Sequence, residues 1–472
     1  MQTSRISNIL WVAISNLVLL LANFGVSVLL ANHLGANAFG TFMFAYTIFN
    51  YLIILNNYGL KKYIITNLSS NQKAFHELYS SSLLIKLLLS IITGIILLFL
   101  LLNLDMETPK KVSILIFFIA SFFLVFDLQA FYDSYEKSKV DSFLLILRNL
   151  LYFGVTLFLV LVNKANVISV SLVFLATTFL YVLLQYGFIK RYLSSIKLCF
   201  RKENIKAVLF GAFPLFWAEV MVNIYDKADI IMLSTMKGDE EVGIYSVATR
   251  LVAAIILVVG AAYRVILPSL SKVDDIQERN IYISNAVKYI GLITIPITIG
   301  GIVTAPQLID FFFSDEYRGA IVAFQILILN VVIVGIGSIF GTFLLSIGKV
   351  KYYTLAITCG AIVNMIGNFW LIPKYSYVGA SITTVAAQLI VSGIGFFIYK
   401  KTCNPDFRFG LAKVLLISLC VGIVALLLNK KVFIILNIII CVILYLLLSI
   451  ICNTFDFVNF RHVFKREHKA DI

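Results

Sequence analysis

Long apolar runs separated by short polar segments fill almost the whole chain. A helix needs about 20 mostly apolar residues to cross a bilayer, and each run is close to that length or longer. The runs lie at about 7–32, 38–60, 82–104, 112–134, 142–162, 168–189, 207–235, 243–267, 287–312, 321–347, 352–372, 377–399, 411–428 and 432–452. Because they are continuous, they are not the alternating strands of a membrane barrel. The pattern predicts an all-α integral membrane protein with about 14 transmembrane helices, numbered here as spans 1 to 14.

A short glycine motif occurs twice, with the two copies 203 residues apart. In each copy a glycine is followed five residues later by a second glycine, then by an aromatic residue and an alanine. The copies are Gly35, Gly40, Phe42 and Ala45, and Gly238, Gly243, Tyr245 and Ala248. The offset crosses six spans, and an even number gives both halves the same orientation in the membrane. We therefore expect two six-helix lobes related by a pseudo-two-fold axis along the membrane normal.

This duplication divides the chain into five segments. They are an N-terminal six-helix lobe at 1–190, a basic cytoplasmic linker at 191–206, a C-terminal six-helix lobe at 207–400, two additional transmembrane helices at 411–452 and a cytoplasmic tail at 453–472. Spans 13 and 14 lie outside the duplication.

The charges of the chain follow the same topology. Hydrophobic residues make up 61% of the chain and charged residues 13%, against roughly 45–50% and 25% in an average soluble domain. The net charge is +14, and Lys and Arg accumulate on the cytoplasmic side of membrane proteins. Their distribution predicts that both termini are cytoplasmic. Because these charges are spread over short loops, they do not indicate binding to nucleic acid.

Several function classes lack their usual sequence signatures. The six Cys form no C-x-x-C pair and the four His have no metal-ligand spacing, so no metal site is predicted. The phosphate-binding loop G-x-x-x-x-G-K-[ST] does not occur, and no segment between spans is long enough for a soluble catalytic domain. No cofactor and no catalytic residue is assigned, and an enzyme is disfavoured.

Four short motifs point to a family. They are Leu34-Gly35-x4-Gly40-x-Phe42 at the start of span 2, Asp226-Lys227-x-Asp229 in span 7, Val242-Gly243-x-Tyr245 at the start of span 8 and Leu267-Pro268 at its end. Together with the number of spans, they resemble the polysaccharide repeat-unit flippases of the multidrug/oligosaccharidyl-lipid/polysaccharide exporter superfamily, a group with a MATE-like fold. The resemblance implies two six-helix lobes in a V shape that open alternately to the two sides of the bacterial inner membrane.

The same resemblance implies the cargo and its surroundings. The cargo would be an O-antigen, capsule or similar oligosaccharide on undecaprenyl pyrophosphate, moved from the cytoplasmic to the periplasmic leaflet. Membrane lipids surround such a protein, a proton or sodium ion is the expected coupling cation, and polysaccharide-assembly proteins are candidate partners. Two rival functions stay open. One is a cation-coupled multidrug exporter, although span 1 lacks an acidic residue and offers only Asn16 and Asn23. The other is a membrane-embedded polysaccharide polymerase or transferase.

Basic residues inside the spans are the first candidates for contact with an anionic head group, since buried charges in membranes usually face a cavity or a partner. The six basic residues in the spans are Lys86, Arg148, Lys227, Arg250, Arg264 and Lys288. Lys86 and Lys288 lie near predicted span ends, where snorkelling explains them. Arg250 and Arg264 are 14 residues apart and share one face of span 8. The head-group candidates are therefore Arg148, Lys227, Arg250 and Arg264.

Acidic residues inside the spans are candidates for ion pairs or for cation coupling: Glu219, Asp226, Asp229 and Asp127. Glu219 and Asp226 lie on one ridge of span 7, because seven residues are close to two helical turns. Asp226 or Asp229 lies at a depth similar to that of Arg250, and Asp127 at a depth similar to that of Arg148. For each group, a structural ion pair and a direct role in transport both remain open.

Overall fold

The computed structural model describes residues 2–70, 75–189, 199, 202–270, 276–403, 410–429 and 432–454, and the regular secondary structure in these residues is helical throughout. The helices are α1 (Gln2–Asn57), α2 (Leu60–Ser70), α3 (Phe75–Asn103), α4 (Thr108–Phe123), α5 (Gln129–Ser134), α6 (Ser138–Leu161), α7 (Val167–Ile189), α8 (Lys202–Lys237), α9 (Asp239–Leu270), α10 (Ile276–Phe312), α11 (Ala320–Leu327), α12 (Leu329–Ser346), α13 (Val350–Cys403), α14 (Leu411–Leu428) and α15 (Ile434–Ile451). The prediction of an all-α membrane protein is confirmed.

The number of spans is compatible with the sequence pattern. Within the described residues, eleven helical segments are long and apolar enough to cross a membrane. Two of these, in α1 and α13, are twice the length of a span and are kinked at Gly35 (φ 77°) and Ser376 (φ 50°). Both kinks fall between two predicted spans, and α9 covers a further one. The total of 14 stays a prediction.

Span 4 is broken, although the sequence predicts a continuous helix over 112–134. Helix α4 ends at Phe123, a 3-10 turn covers Leu124–Phe126, and Asp127 is extended (ψ 132°) before α5 begins. The segment contains no Gly or Pro. Side chains instead satisfy the backbone N–H groups at the break. The N–H of Leu128 donates to Gln185 Oε1 (3.1 Å), and the N–H of Gln129 donates to Asp127 Oδ1 (3.2 Å). Non-helical backbone is tolerated at membrane depth where protein groups satisfy it.

The chain forms two compact units, Met1–Gly243 and Ile244–Ile472. In the first unit, α1 packs along α6 and α4, and α8 packs against α1, α2 and α3. Span 7, which the sequence assigns to the C-terminal lobe, therefore contacts helices of the first unit. The five predicted segment boundaries stay predictions. The core of this unit contains the interlocked rings of Phe49, Phe117 and Phe174, with centroids 5.0–5.5 Å apart.

In the second unit, α12 packs on α13, and α10 packs on α12 and α14. The two C-terminal helices α14 and α15 thus lie against α10. A buried polar network stabilises α13, where Asn368 donates to Asn364 Oδ1 (2.9 Å) and Thr383 donates to Asn368. Each of these side chains is fully or almost fully buried, so the hydrogen bonds compensate for their burial.

The second glycine of each motif, Gly40 or Gly243, lies at a close backbone contact inside the first unit. A Cβ atom on Gly40 would lie 1.7 Å from the carbonyl oxygen of Asp239, and one on Gly243 would lie 2.1 Å from that of Ala36. Backbones approach this closely only where side chains are missing. The Lys110 ammonium donates to Asp239 (2.6 Å) beside this contact, and both side chains are 12% exposed. The second glycine of each copy is therefore a packing residue, whereas the first, Gly35 or Gly238, has a positive φ (77° and 102°).

Candidate functional site

A polar cavity of about 200 Å³ lies inside the first unit, next to the break in span 4. Its walls come from α1, α2, α3, α6, α7 and the broken segment. The charged and hydrogen-bonding residues that line it are Asn56, Asn57, Lys61, Lys86, Ser121, Asp127, Gln129, Arg148 and Tyr181. Three of these are cationic and one is acidic, so the cavity carries an excess of positive charge.

Lys86 is the most deeply buried cation of the cavity, with 7% of its surface exposed. Helix α3 begins at Phe75, seven residues before the predicted start of span 3, so Lys86 lies three turns inside the helix. In the part of the chain that the structure describes, its ammonium makes no hydrogen bond and has no carboxylate within 4 Å. The snorkelling expected for Lys86 is wrong, because its side chain is buried in the unit instead of reaching the surface. An unpaired buried cation is costly and usually functional.

Two further cations are held in place around Lys86. Lys61 follows a left-handed turn at Tyr58 (φ 48°) and Gly59 (φ 67°), which ends α1 and starts α2. Its ammonium donates to Gln129 Oε1 at 2.6 Å. Arg148 on α6 donates to Thr178 Oγ1 at 2.9 Å, and its guanidinium lies over the Phe174 ring, 4.8 Å from the centroid. A guanidinium has five N–H donors, and most of those on Arg148 remain available to a ligand.

Asp127 and Arg148 line the same cavity without forming the ion pair that the sequence left open. Among the described residues, neither has an oppositely charged group within 4 Å. Asp127 instead accepts from Gln185 Nε2 at 2.8 Å. The same amide nitrogen lies 2.8 Å from Asp141 Oδ1 and 2.7 Å from Tyr181 OH, and Tyr181 donates to Asp141 at 2.7 Å. Two carboxylates are thus joined through one glutamine and one tyrosine.

The candidates in span 7 lie apart from this cavity. Glu219 pairs with Lys62 at 3.1 Å, and Asp226 pairs with its neighbour Lys227 at 3.2 Å, with the Asp226 side chain 60% exposed. Asp229 is buried and accepts from the N–H of Ile230 at 2.8 Å. Of the predicted residues that the structure describes, Asp127 and Arg148 line this cavity together, whereas Asp226 and Lys227 pair with each other elsewhere.

The span 8 candidates lie in α9. The side chain of Arg264 is outside the described residues, and Arg250 belongs to the second unit. The expected pairing of Arg250 with Asp226 or Asp229 would join the two units and stays a prediction.

Five residues of the site were missed from the sequence: Lys61, Lys86, Asp141, Tyr181 and Gln185. Two of them gave a usable signal. Gln185 is a buried amide within span 6, and Asp141 is a buried acid at the start of span 5. Polar residues near the same ends of neighbouring spans would have indicated a shared network. Lys61 lay just beyond a predicted span end and gave no such signal.

Comparison with known proteins identifies the family. Residues 6–274 match the family described as polysaccharide biosynthesis protein, and residues 214–370 match the family described as MatE. The first match covers more than half of the chain. The chain belongs to the polysaccharide biosynthesis protein family. The resemblance to the flippases of the multidrug/oligosaccharidyl-lipid/polysaccharide exporter superfamily is thereby confirmed.

Relatives of this polysaccharide biosynthesis family member agree with that assignment. A protein of Shigella dysenteriae named "Putative O-antigen transporter" is 24% identical over 72% of this chain and 85% of its own length. The capsular polysaccharide biosynthesis protein CapF of Staphylococcus aureus is 24% identical over 57% of this chain and 69% of its own length. The chain is a multi-pass membrane protein, and these relatives agree with the expectation of a transporter rather than an enzyme.

Solved structures share its fold. The lipid II flippase MurJ, in an inward closed conformation, has a TM-score of 0.79, with 20% identity over 94% of this chain and 98% of its own. A multidrug resistance MATE family transporter in an inward-facing conformation has a TM-score of 0.62, with 15% identity over 83% and 98%. At these identities the likeness establishes the fold.

Proposed function

We propose that the chain is a flippase for oligosaccharide repeat units linked to undecaprenyl pyrophosphate, which it moves from the cytoplasmic to the periplasmic leaflet of the bacterial inner membrane. O-antigen and capsule units are the cargo class that its relatives' names suggest. Both termini are cytoplasmic in this proposal. In that orientation, the polar cavity opens into the cytoplasmic half of the first unit, where a substrate made in the cytoplasm would first bind.

The observation that carries the proposal is the unpaired, buried ammonium of Lys86 beside Arg148 and Lys61. A cation is stable at such a position only with a counter-charge, and Asp127 supplies one negative charge for three positive ones. An anionic ligand would balance the excess. A pyrophosphate suits this set, because Arg offers a bidentate fork and Lys a compact point charge to phosphate oxygens.

The size of the cavity indicates which part of the cargo it would hold. A volume of about 200 Å³ corresponds to roughly seven water molecules at about 30 Å³ each. That is enough for a phosphate group and too little for an oligosaccharide, which would lie outside the cavity. Lys227, Arg250 and Arg264 remain candidate contacts for other parts of the head group, and Glu219, Asp226 and Asp229 remain candidates for ion pairing or cation coupling.

The test is complementation of a bacterial strain that lacks its own repeat-unit flippase, with surface polysaccharide as the readout. We expect the wild-type chain to restore polysaccharide, Lys86→Met to fail at equal membrane abundance, and Lys86→Arg to restore part of it. Lys288→Met is the matched control, because it removes a partly buried lysine of the second unit.

Other outcomes of the same experiment would contradict the proposal. Dye efflux that depends on the chain without any restored polysaccharide would favour the multidrug exporter. Single repeat units that reach the surface without the chain, but extend only in its presence, would favour a polymerase or transferase.

A further inference from the structure

Asp127 and Asp141 approach each other across the break in span 4. Both carboxylates contact the same Gln185 nitrogen at 2.8 Å, so their Oδ1 atoms are less than about 6 Å apart. Tyr181 OH also bridges them, at 2.7 Å from Asp141 and 3.5 Å from Asp127. Asp141 is 2% exposed and Gln185 is fully buried. The donors that bridge the pair are neutral, and Asp141 and Gln185 are buried, whereas Asp127 also lines the polar cavity.

Like charges at this separation repel strongly where water is excluded. The charged and titratable groups that face the pair are Lys61 from α2, Lys86 from α3, Asp133 from α5, Arg148 from α6, and Tyr181 and Tyr186 from α7. Among the described residues, no cation lies within 4 Å of either carboxylate, and Asp133 adds a third negative charge nearby. The surroundings therefore favour one proton shared between the two acids.

Only one member of the pair faces the cavity. Asp127 lines it together with the three cations, whereas Asp141 lies behind Asp127 and does not line the cavity. Which of the two acids carries the negative charge therefore affects how strongly the cavity attracts an anion. A charge on Asp127 offsets Lys86 and Arg148 and repels an anion, while a charge on Asp141 leaves the cavity more positive.

We propose that Asp127 and Asp141 hold one proton between them and that this proton controls the affinity of the cavity for a phosphate group. The proton comes from water and occupies a carboxylate oxygen of the pair in part of the molecules at neutral pH; anion binding raises that fraction by taking up protons from water, and the same protons return to water when the anion leaves. Because linkage is reciprocal, anion binding draws in a proton to the same extent that a proton strengthens anion binding. The inference rests on the proposed function in taking a phosphate as the ligand.

The experiment is calorimetric titration of the purified full-length chain in nanodiscs with inorganic pyrophosphate, at pH 6, 7 and 8 and in two buffers of different ionisation enthalpy. Pyrophosphate itself titrates, so each variant is compared with the wild type at the same pH. As the pH rises, we expect the affinity of the wild type for pyrophosphate to fall by up to about tenfold per pH unit relative to that of Asp127→Asn. Binding to the wild type should also take up protons. Asp127→Asn, which puts a neutral amide in place of the carboxylate that faces the cavity, should bind pyrophosphate more tightly and lack this extra pH dependence.

Asp141→Asn should have the opposite effect. Without its partner acid, Asp127 has no proton to share, so binding should weaken at pH 6 and its extra pH dependence should disappear. Asp133→Asn is the matched control, because it removes a nearby acid outside the bridged pair; it should shift the pH dependence to lower pH without abolishing it. Equal weakening by Asp127→Asn and Asp141→Asn, or a wild type with no pH dependence beyond that of pyrophosphate, would overturn the proposal.

A second measurement does not depend on the ligand or on transport. Infrared difference spectroscopy of the wild type should show a protonated carboxyl C=O band at neutral pH that vanishes on alkaline titration, and Asp127→Asn should lack it. Absence of the band in the folded wild type would overturn the shared proton and would leave the proposed function standing. A band that is present without any pyrophosphate binding would instead contradict the phosphate cavity of the proposed function.

Discussion

Replacing Lys86 with methionine should separate the stability of the protein from its transport activity. The side chain is 7% exposed, and its ammonium has no hydrogen bond or ion pair among the described residues. Removing an ionised group from water costs several kcal/mol per ion after relaxation. Methionine has a similar length and no such cost, so Lys86→Met should raise the free energy of unfolding, by about 1–3 kcal/mol.

The same change should weaken anion binding. A hydrogen bond to a charged group contributes about 1.5–3 kcal/mol, which corresponds to a loss of about 10- to 150-fold in affinity at 1.4 kcal/mol per factor of ten. The assay pairs thermal unfolding of the purified chain with pyrophosphate binding. A higher melting temperature with weaker binding is the expected result, and Lys86→Arg, which keeps the charge, should retain most of the binding. A lower melting temperature for Lys86→Met would refute the reasoning, because it would make Lys86 a structural residue.

Three further changes test the packing and the site. Gly40→Ala should abolish folded protein in the membrane, since its Cβ would lie 1.7 Å from a backbone oxygen, whereas Gly154→Ala, with nothing within 4 Å of the new atom, should leave abundance unchanged. Lys110→Met should lower the free energy of unfolding by about 1.5–3 kcal/mol, because it leaves the Asp239 carboxylate with hydroxyl donors from Thr41 and Ser234 and no cation within the described residues. Equal stability to wild type would contradict the role assigned to this pair. Arg148→Lys should reduce pyrophosphate binding about tenfold at unchanged abundance, because it removes the fork and the bond to Thr178; unchanged binding would exclude a guanidinium contact.

The helices were predictable from the sequence because each depends on a local pattern. The kinks after span 1 and span 11 fall between apolar runs, and Gly35 supplies the left-handed backbone of the first. The break at Asp127 was not predictable in the same way. No local residue breaks that helix. The group that accepts from the freed Leu128 N–H is the side-chain amide oxygen of Gln185, which lies 57 residues further along the chain.

The site was only partly predictable for a related reason. A lysine near a predicted span end suggests snorkelling, and only the true start of α3 at Phe75 shows that Lys86 is deep in the unit. Asp127 and Arg148, expected at similar depth, line one cavity, but depth says nothing about rotation around the helix axis. Their side chains therefore share a cavity without pairing.

The central claim is tested most directly by reconstituting the chain in liposomes that contain a lipid-linked oligosaccharide with vicinal diols. Membrane-impermeant periodate then reports which molecules have reached the outer leaflet. We expect the wild type and Lys86→Arg to make the inner-leaflet pool accessible, and Lys86→Met to leave it protected. An inner pool that stays protected with folded wild-type protein present, or that is exposed equally by Lys86→Met, would contradict a flippase that works through this cavity.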